Sequence, residues 1–242
     1  MILLVTDFGL CGPYTGQMQA VLYREAPEVP VISLFADAPA FNPRASAYLL
    51  ASYAEAFPAG SVFLCVIDPG VGSERWPLVL QADERWYVGP DNGLLSQAAA
   101  RAGVARWWRI TYQPAQLSAS FHGRDLFAPV AARIARGEAV PGEPCAGPLS
   151  DARSWPADLW EVIYIDHYGN AMTGIRADTI SPDQDLVAAG RRMAPARVFA
   201  DRSRGAGLWY RNANRLVEIA VNQGRADQAL GLAVGSLVKP AG

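Results

Sequence analysis

The feature that most constrains the fold is a series of short, β-branched apolar runs bounded by turn residues, at 2–6, 29–34, 61–67, 77–81, 86–88 and 107–111. Between some of them lie segments of helical periodicity, at 16–25, 46–56, 93–102 and 128–136. Short buried strands alternating with amphipathic helices predict an N-terminal α/β domain with a largely parallel central sheet, over residues 1–150. After Gly137 the texture changes. Residues 138–156 are rich in Pro, Gly and small side chains and read as a linker. Beyond it, runs at 159–165, 186–188, 197–199 and 216–221 predict strands with few helices between them. The expectation is a smaller, mostly β, barrel-like C-terminal domain over 157–242.

With 242 residues, 51% of them hydrophobic and 18% charged, the chain can bury a sizeable core and is not expected to be disordered. A formal charge of −2 provides no field to attract nucleic acid. The arginines around Trp209 and Tyr210 read as a solvated face. No apolar run is long enough to span a bilayer, and the first residues lack the basic flank of a signal peptide. Three cysteines with no Cys-x-x-Cys pair fit a reducing compartment. These features predict a cytoplasmic protein with neither a membrane nor a nucleic-acid partner.

Asp7, Asp68 and Asp166 each directly follow an apolar run. In open α/β sheets ligands collect outside the carboxyl ends of strands, which marks Asp7 and Asp68, although Asp also simply begins turns. Asp68 opens the run Asp68-Pro69-Gly70-Val71-Gly72-Ser73-Glu74-Arg75, a tight loop able to return Arg75 to the Asp68 carboxylate. Such a pair can hold a water, or can be a plain salt bridge. The only two histidines, His122 and His167, sit in polar, glycine-containing motifs, Phe121-His122-Gly123-Arg124-Asp125 and Asp166-His167-Tyr168-Gly169-Asn170. Neither has the spacing of a zinc site, so no metal is expected. The dinucleotide fingerprint, the phosphate loop and the Gly-x-Ser-x-Gly elbow are absent from the sequence. Pro90-Asp91-Asn92-Gly93 reads as a scaffolding turn.

Taken in order, Thr6-Asp7-Phe8-Gly9, the run 66–72, the run 88–93, the run 121–129 and the run 165–170 resemble the SAM hydroxide adenosyltransferase family, relatives of the S-adenosyl-L-methionine (SAM)-dependent fluorinases and chlorinases. The resemblance spans almost the whole chain. It implies hydrolysis of SAM to adenosine and L-methionine, with SAM as substrate and no cofactor. It puts the family's catalytic Asp, Arg and His on Asp68, Arg75 and His122. It also implies Asp7 at the ribose hydroxyls, Phe41 flanking the sugar, Asp166 at the methionine ammonium, and Tyr168 and Asn170 at the nucleoside, with Phe199 stacking on adenine. The resemblance further implies a homotrimer with sites at subunit interfaces, between the N-terminal domain of one copy and the C-terminal domain of the next. The chain departs from the family at Gly12, at Ala36 and at Ala213. The first and last touch methionine recognition, and the catalytic trio is intact. Three other readings compete: a non-catalytic adenosine or SAM binder, a SAM-dependent halogenase, and, more distantly, a carboxylate-pair glycosidase.

Overall fold

The computed structural model describes residues 1–241, which divide into two compact units, Met1–Trp155 and a second beginning at Pro156. In the first unit the elements are β1 (Ile2–Thr6), α1 (Tyr14–Glu25), β2 (Val31–Phe35), α2 (Pro43–Ala54), β3 (Val62–Val66), β4 (Pro77–Ala82), β5 (Arg85–Pro90), α3 (Ser96–Arg101), β6 (Ala105–Ile110), a π-helical turn (Gly123–Phe127), α4 (Ala128–Ala135) and β7 (Gly142–Cys145). They form one sheet in the order β2-β1-β3-β5-β4-β6-β7.

β1 and β3 are buried along their whole length. Ile2, Leu4, Val62, Leu64 and Val66 share a core with Met18 and Leu22 of α1 and with Val130, Ala131 and Ile134 of α4. The alternate residues Leu3, Val5, Phe63 and Cys65 are equally buried, so both faces are covered and the runs read as continuously apolar. The strands β2, β1, β3 and β5 are parallel, whereas β4, β6 and β7 run antiparallel. The switch has a local cause. Only Asp83 and Glu84 separate β4 from β5, and a two-residue link joins antiparallel strands alone. α2 begins before the apolar periodicity does, because the Asn42 side chain accepts the Ala45 N–H at 3.0 Å and Pro43 opens the first turn.

The stretch read as a linker is not all irregular. It contains β7, paired with β6 from Trp107↔Cys145 to Ile110↔Gly142, and a 3₁₀ turn at Asp151–Ser154. β7 is an edge strand of sequence Gly-Glu-Pro-Cys that leaves no residue fully buried, so it carries no apolar alternation to detect.

The second unit contains β8 (Leu159–Ile165), β9 (Ala171–Arg176), β10 (Leu186–Ala188), β11 (Arg191–Pro195), β12 (Gly207–Arg211), β13 (Leu216–Val221), α5 (Ala226–Leu230) and β14 (Val238–Pro240). The sheet order is β14-β10-β11-β12-β13-β9-β8. A bridge between Glu161 and Leu237 brings the two edge strands together, reinforced by Val162 N–H donating to the Ser236 carbonyl at 2.8 Å. The sheet is therefore nearly closed, around Val162, Ile175, Leu186, Trp209, Val217 and Ile219. The run at 197–199 is not a strand. The Asp201 carboxylate accepts the Arg197 and Val198 N–H groups at 2.9 and 3.1 Å, turning the chain into a 3₁₀ turn at Phe199–Asp201. Among the described residues, no helix is long and apolar enough to cross a membrane.

Candidate active site

β1 and β3 are parallel neighbours paired through Thr6↔Val66. Asp7 leaves β1 at once and Asp68 leaves β3 two residues after Val66, so the two carboxylates emerge side by side at the strand ends. Three features aim Asp68. The Asn92 amide donates to the Ile67 carbonyl at 2.9 Å, fixing the backbone just ahead of it. Gly89 lies so close to β3 that a Cβ there would stand 2.5 Å from the Cys65 carbonyl oxygen. Gly72, at φ +82°, brings the loop after Asp68 within 2.7 Å (measured from an added Cβ) of the Ala119 carbonyl oxygen. The turn at Pro90–Gly93, read as scaffolding, is thus tied to the residue preceding Asp68.

Arg75 returns to Asp68 as the loop's composition suggests. Its Nε donates to Asp68 Oδ1 at 2.7 Å and its Nη2 donates to Oδ2, a two-pronged pair. The side chains are 9% and 4% exposed. The guanidinium lies over the Phe127 ring, 5.4 Å from its centroid. The same Nη2 faces His122 Nδ1 at 3.3 Å. A guanidinium can only donate, so Nδ1 is the acceptor, and a neutral His122 carries its proton on Nε2. Burial, and then the Arg75 charge, hold the His122 pKa below its ordinary value, against the opposing pull of Asp68 and Asp125. The segment before His122 is braced by Asp125, which accepts the Ser118 N–H at 2.9 Å and is itself gripped by Arg124. That grip, more than any other influence, depresses the Asp125 pKa.

Asp68 and His122 line a cavity of about 380 Å³ together with Asp7, Phe8, Tyr14, Phe41, Val66, Val71, Ser120, Phe121 and Gly123. Arg75 stands off the wall, as the partner of both. Asp7 Oδ2 accepts the Phe41 N–H at 2.9 Å. Burial raises the Asp7 pKa, the Phe41 N–H works against that, and nearby Asp68 adds to it. Phe41 adopts φ +57°, rare for a side chain of its size, and the residue is 78% exposed. Phe8, Tyr14 and Phe121 form an aromatic cluster with centroids 5.5–5.8 Å apart. These three carry no sequence signal of their own for a site, although Phe8 and Phe121 directly adjoin the motif residues Asp7 and His122.

The second unit holds its own cavity, of about 720 Å³. Asp166, Tyr168, Asn170 and Phe199 all line it, along with Tyr210 and the loop 221–225. Asn170 is locked in place. Its backbone N–H donates to Asp166 Oδ1 at 2.8 Å and its amide to Oδ2 at 2.9 Å. Tyr168 is 74% exposed, and Phe199 packs on Tyr210 with centroids 5.1 Å apart. His167 does not line this cavity; its carbonyl accepts from Arg225 at 2.8 Å. Tyr210 and Arg225 were not singled out, because each sits among arginines that read as a solvated face or in a loop without a motif. Of the departing positions, Gly12 adopts φ +112° with nothing within 4 Å of an added Cβ. Among the described residues, no group of three or more His, Cys, Asp or Glu side chains is placed to hold a metal.

An α/β unit bearing an Asp–Arg–His cluster where parallel strands end, joined to a nearly closed β unit with an aromatic-walled cavity, defines a distinct class of two-unit protein. The chain belongs to the SAM hydroxide adenosyltransferase family: residues 2–142 match its N-terminal domain and 160–239 its C-terminal domain. It is 34% identical, over 98% of both chains, to a Thermus thermophilus protein named (R)-S-adenosyl-L-methionine hydrolase. A Salinispora arenicola protein of the same name is 36% identical, over 98% of this chain and 96% of its own. The crystal structure of an uncharacterized conserved protein from Thermotoga maritima superposes with a TM-score of 0.90, at 30% identity and over the whole of both chains.

Proposed function

We propose that the protein hydrolyses S-adenosyl-L-methionine to adenosine and L-methionine, by in-line attack of a water-derived oxygen on the C5′ carbon. The observation that carries this reading is the Asp68–Arg75–His122 cluster at the wall of a cavity, in a chain of this family whose relatives bear the hydrolase name. The sulfonium departs as a neutral thioether, so the leaving group needs no acid. What the site must supply is an aimed and poorly hydrated oxygen. Holding it ~3–3.5 Å from the carbon, opposite sulfur, accounts for much of the acceleration.

The hydrogen bonds support a division of labour. With Nδ1 engaged by Arg75, neutral His122 offers Nε2–H and orients the water as a donor. Asp68 is the acceptor of the water proton, through the carboxylate lone pairs that Arg75 leaves open. Arg75 holds both and stabilises the developing hydroxide. One water is consumed; its oxygen becomes the 5′-hydroxyl of adenosine, the C5′–S electron pair passes to sulfur, and one proton is released. In the same reading Asp7 binds the ribose hydroxyls and Phe41 flanks the sugar. Tyr168, Asn170 and Phe199 hold the nucleoside, and Asp166, besides locking Asn170, faces the ammonium.

The same reading includes a homotrimer, in which the first unit of one copy meets the second unit of its neighbour, as the family resemblance implies. Two widely exposed aromatic residues at the cavity walls, Phe41 and Tyr168, suit such covering. Three free cysteines accord with a cytoplasmic setting. Chromatography of purified protein incubated with SAM tests the activity. Adenosine and methionine should appear in equal amounts and fall sharply for Asp68→Asn; absence of adenosine from the wild type refutes the reading. Sedimentation at the mass of a single chain refutes the trimer.

A further inference from the structure

Among the described residues, Glu218 is the one glutamate buried in the middle of a strand in the second unit, 2% exposed at the centre of β13. β13 lies between β12 and β9, and Glu218 pairs with Tyr210 on one side and Met172 on the other. Side chains alternate along a strand. Val217, Ile219 and Val221 enter the hydrophobic core of the unit, so Glu218 projects from the opposite face with its neighbours Tyr210 and Asn212. A carboxylate withdrawn from water is costly unless a charge or several donors replace the water. Here neither partner is a cation. The Tyr210 hydroxyl donates to Oε1, and the Asn212 amide donates to Oε2 at 2.8 Å. An aliphatic residue would fill a buried strand position at less expense, so packing alone does not account for this side chain.

One partner lines the second-unit cavity, and the other holds a turn beside it in the chain. Tyr210 lines it and carries the Phe199 ring on its own. Asn212 holds the turn between β12 and β13, its side-chain oxygen accepting the Asn214 and Leu216 N–H groups at 2.9 and 3.0 Å. Asn212 can satisfy those two N–H groups only with its oxygen turned toward the turn, which sends its NH₂ to Glu218. One carboxylate thus sets the rotamers of an aromatic wall and of a turn.

We infer that Glu218 is a positioning residue for ligand binding: it locks Tyr210, and through it Phe199, into the cavity wall, and it locks the turn at Asn212. The inference rests on the cavity being the nucleoside pocket proposed above. Glu218 touches no ligand; it acts through residues that do.

The test compares Glu218→Gln, Tyr210→Phe and the double variant in the full chain, by calorimetric titration of adenosine and by steady-state hydrolysis of SAM. Glu218→Gln keeps the shape but turns an NH₂ toward one of two donors. Each single variant should weaken adenosine binding on the order of tenfold, the effect of one well-placed hydrogen bond, with the loss falling on KM more than on kcat. The double variant should be scarcely weaker than either single, because both remove the same contact. Wild-type affinity and KM in Tyr210→Phe, or additive losses in the double, overturn the inference. Should Glu218→Gln fail to fold, Tyr210→Phe alone decides it by the same measure. A wild type that binds adenosine without releasing it from SAM, with variants that bind more weakly, sinks the hydrolase reading and leaves the positioning role intact. Normal SAM hydrolysis with unaltered binding in the variants does the reverse.

Discussion

Replacing Arg75 by Met removes one half of a pair whose side chains are only 9% and 4% exposed. The Asp68 carboxylate then stays in place, without the two N–H groups that it accepts and with little water to replace them. Breaking a buried pair from one side costs about 3–5 kcal/mol, far above the worth of a surface ion pair. In a unit of roughly this size, at about 2–4 °C per kcal/mol, the unfolding midpoint should drop by about 6–20 °C. Removing both charges is a different perturbation. Arg75→Met with Asp68→Leu leaves no orphan carboxylate and should recover most of the lost stability, while hydrolysis stays down by roughly 10²–10³-fold or more. Thermal unfolding of the four members of the cycle, followed by calorimetry at one pH and protein concentration, measures the coupling directly. If the single Arg75 variant melts with the wild type, or the double melts as low as the single, the pair does not carry the buried charge as the geometry implies.

Two further outcomes follow from the same cluster. Because the His122 pKa lies below its ordinary value near 6.5, the unfolded chain binds that proton more tightly than the folded one. Its contribution to stability is therefore full above that range and is lost as pH falls through it; turnover should fall with it, as imidazolium forms against the Arg75 guanidinium. His122→Gln should remove this acid-side loss in both pH profiles, and an unchanged acid limb refutes the assignment. Asn92→Ala frees the Ile67 carbonyl and loosens the backbone ahead of Asp68, so kcat should fall by about tenfold to a hundredfold with little change in adenosine binding. Wild-type kcat in that variant would return the turn at Pro90–Gly93 to scaffolding.

How much of this was legible in advance differs from element to element. β1, β8, β10 and β13 end where their apolar runs end, because a strand buried on its core face writes its length into its composition. The start of α2 differs from the apolar periodicity, and the run at 197–199 is a turn and not the expected strand, since a side chain accepting backbone N–H groups decides each and leaves no periodicity. β7 was lost because an edge strand needs only its backbone.

The local order of residues determined which side chains could meet within one loop: Asp68 with Arg75, and Asp166 with Asn170, are each drawn together by a short, glycine-bearing turn. Tertiary structure alone decided that His122, 47 positions from Arg75, presents Nδ1 to its guanidinium, and that Asn92 holds the residue before Asp68. Only the sheet could reveal that Glu218 in β13 lies opposite Tyr210 in β12. Turn chemistry acts over a few residues and is written in them, whereas strand register is settled by packing across the whole sheet, where no single segment carries the information.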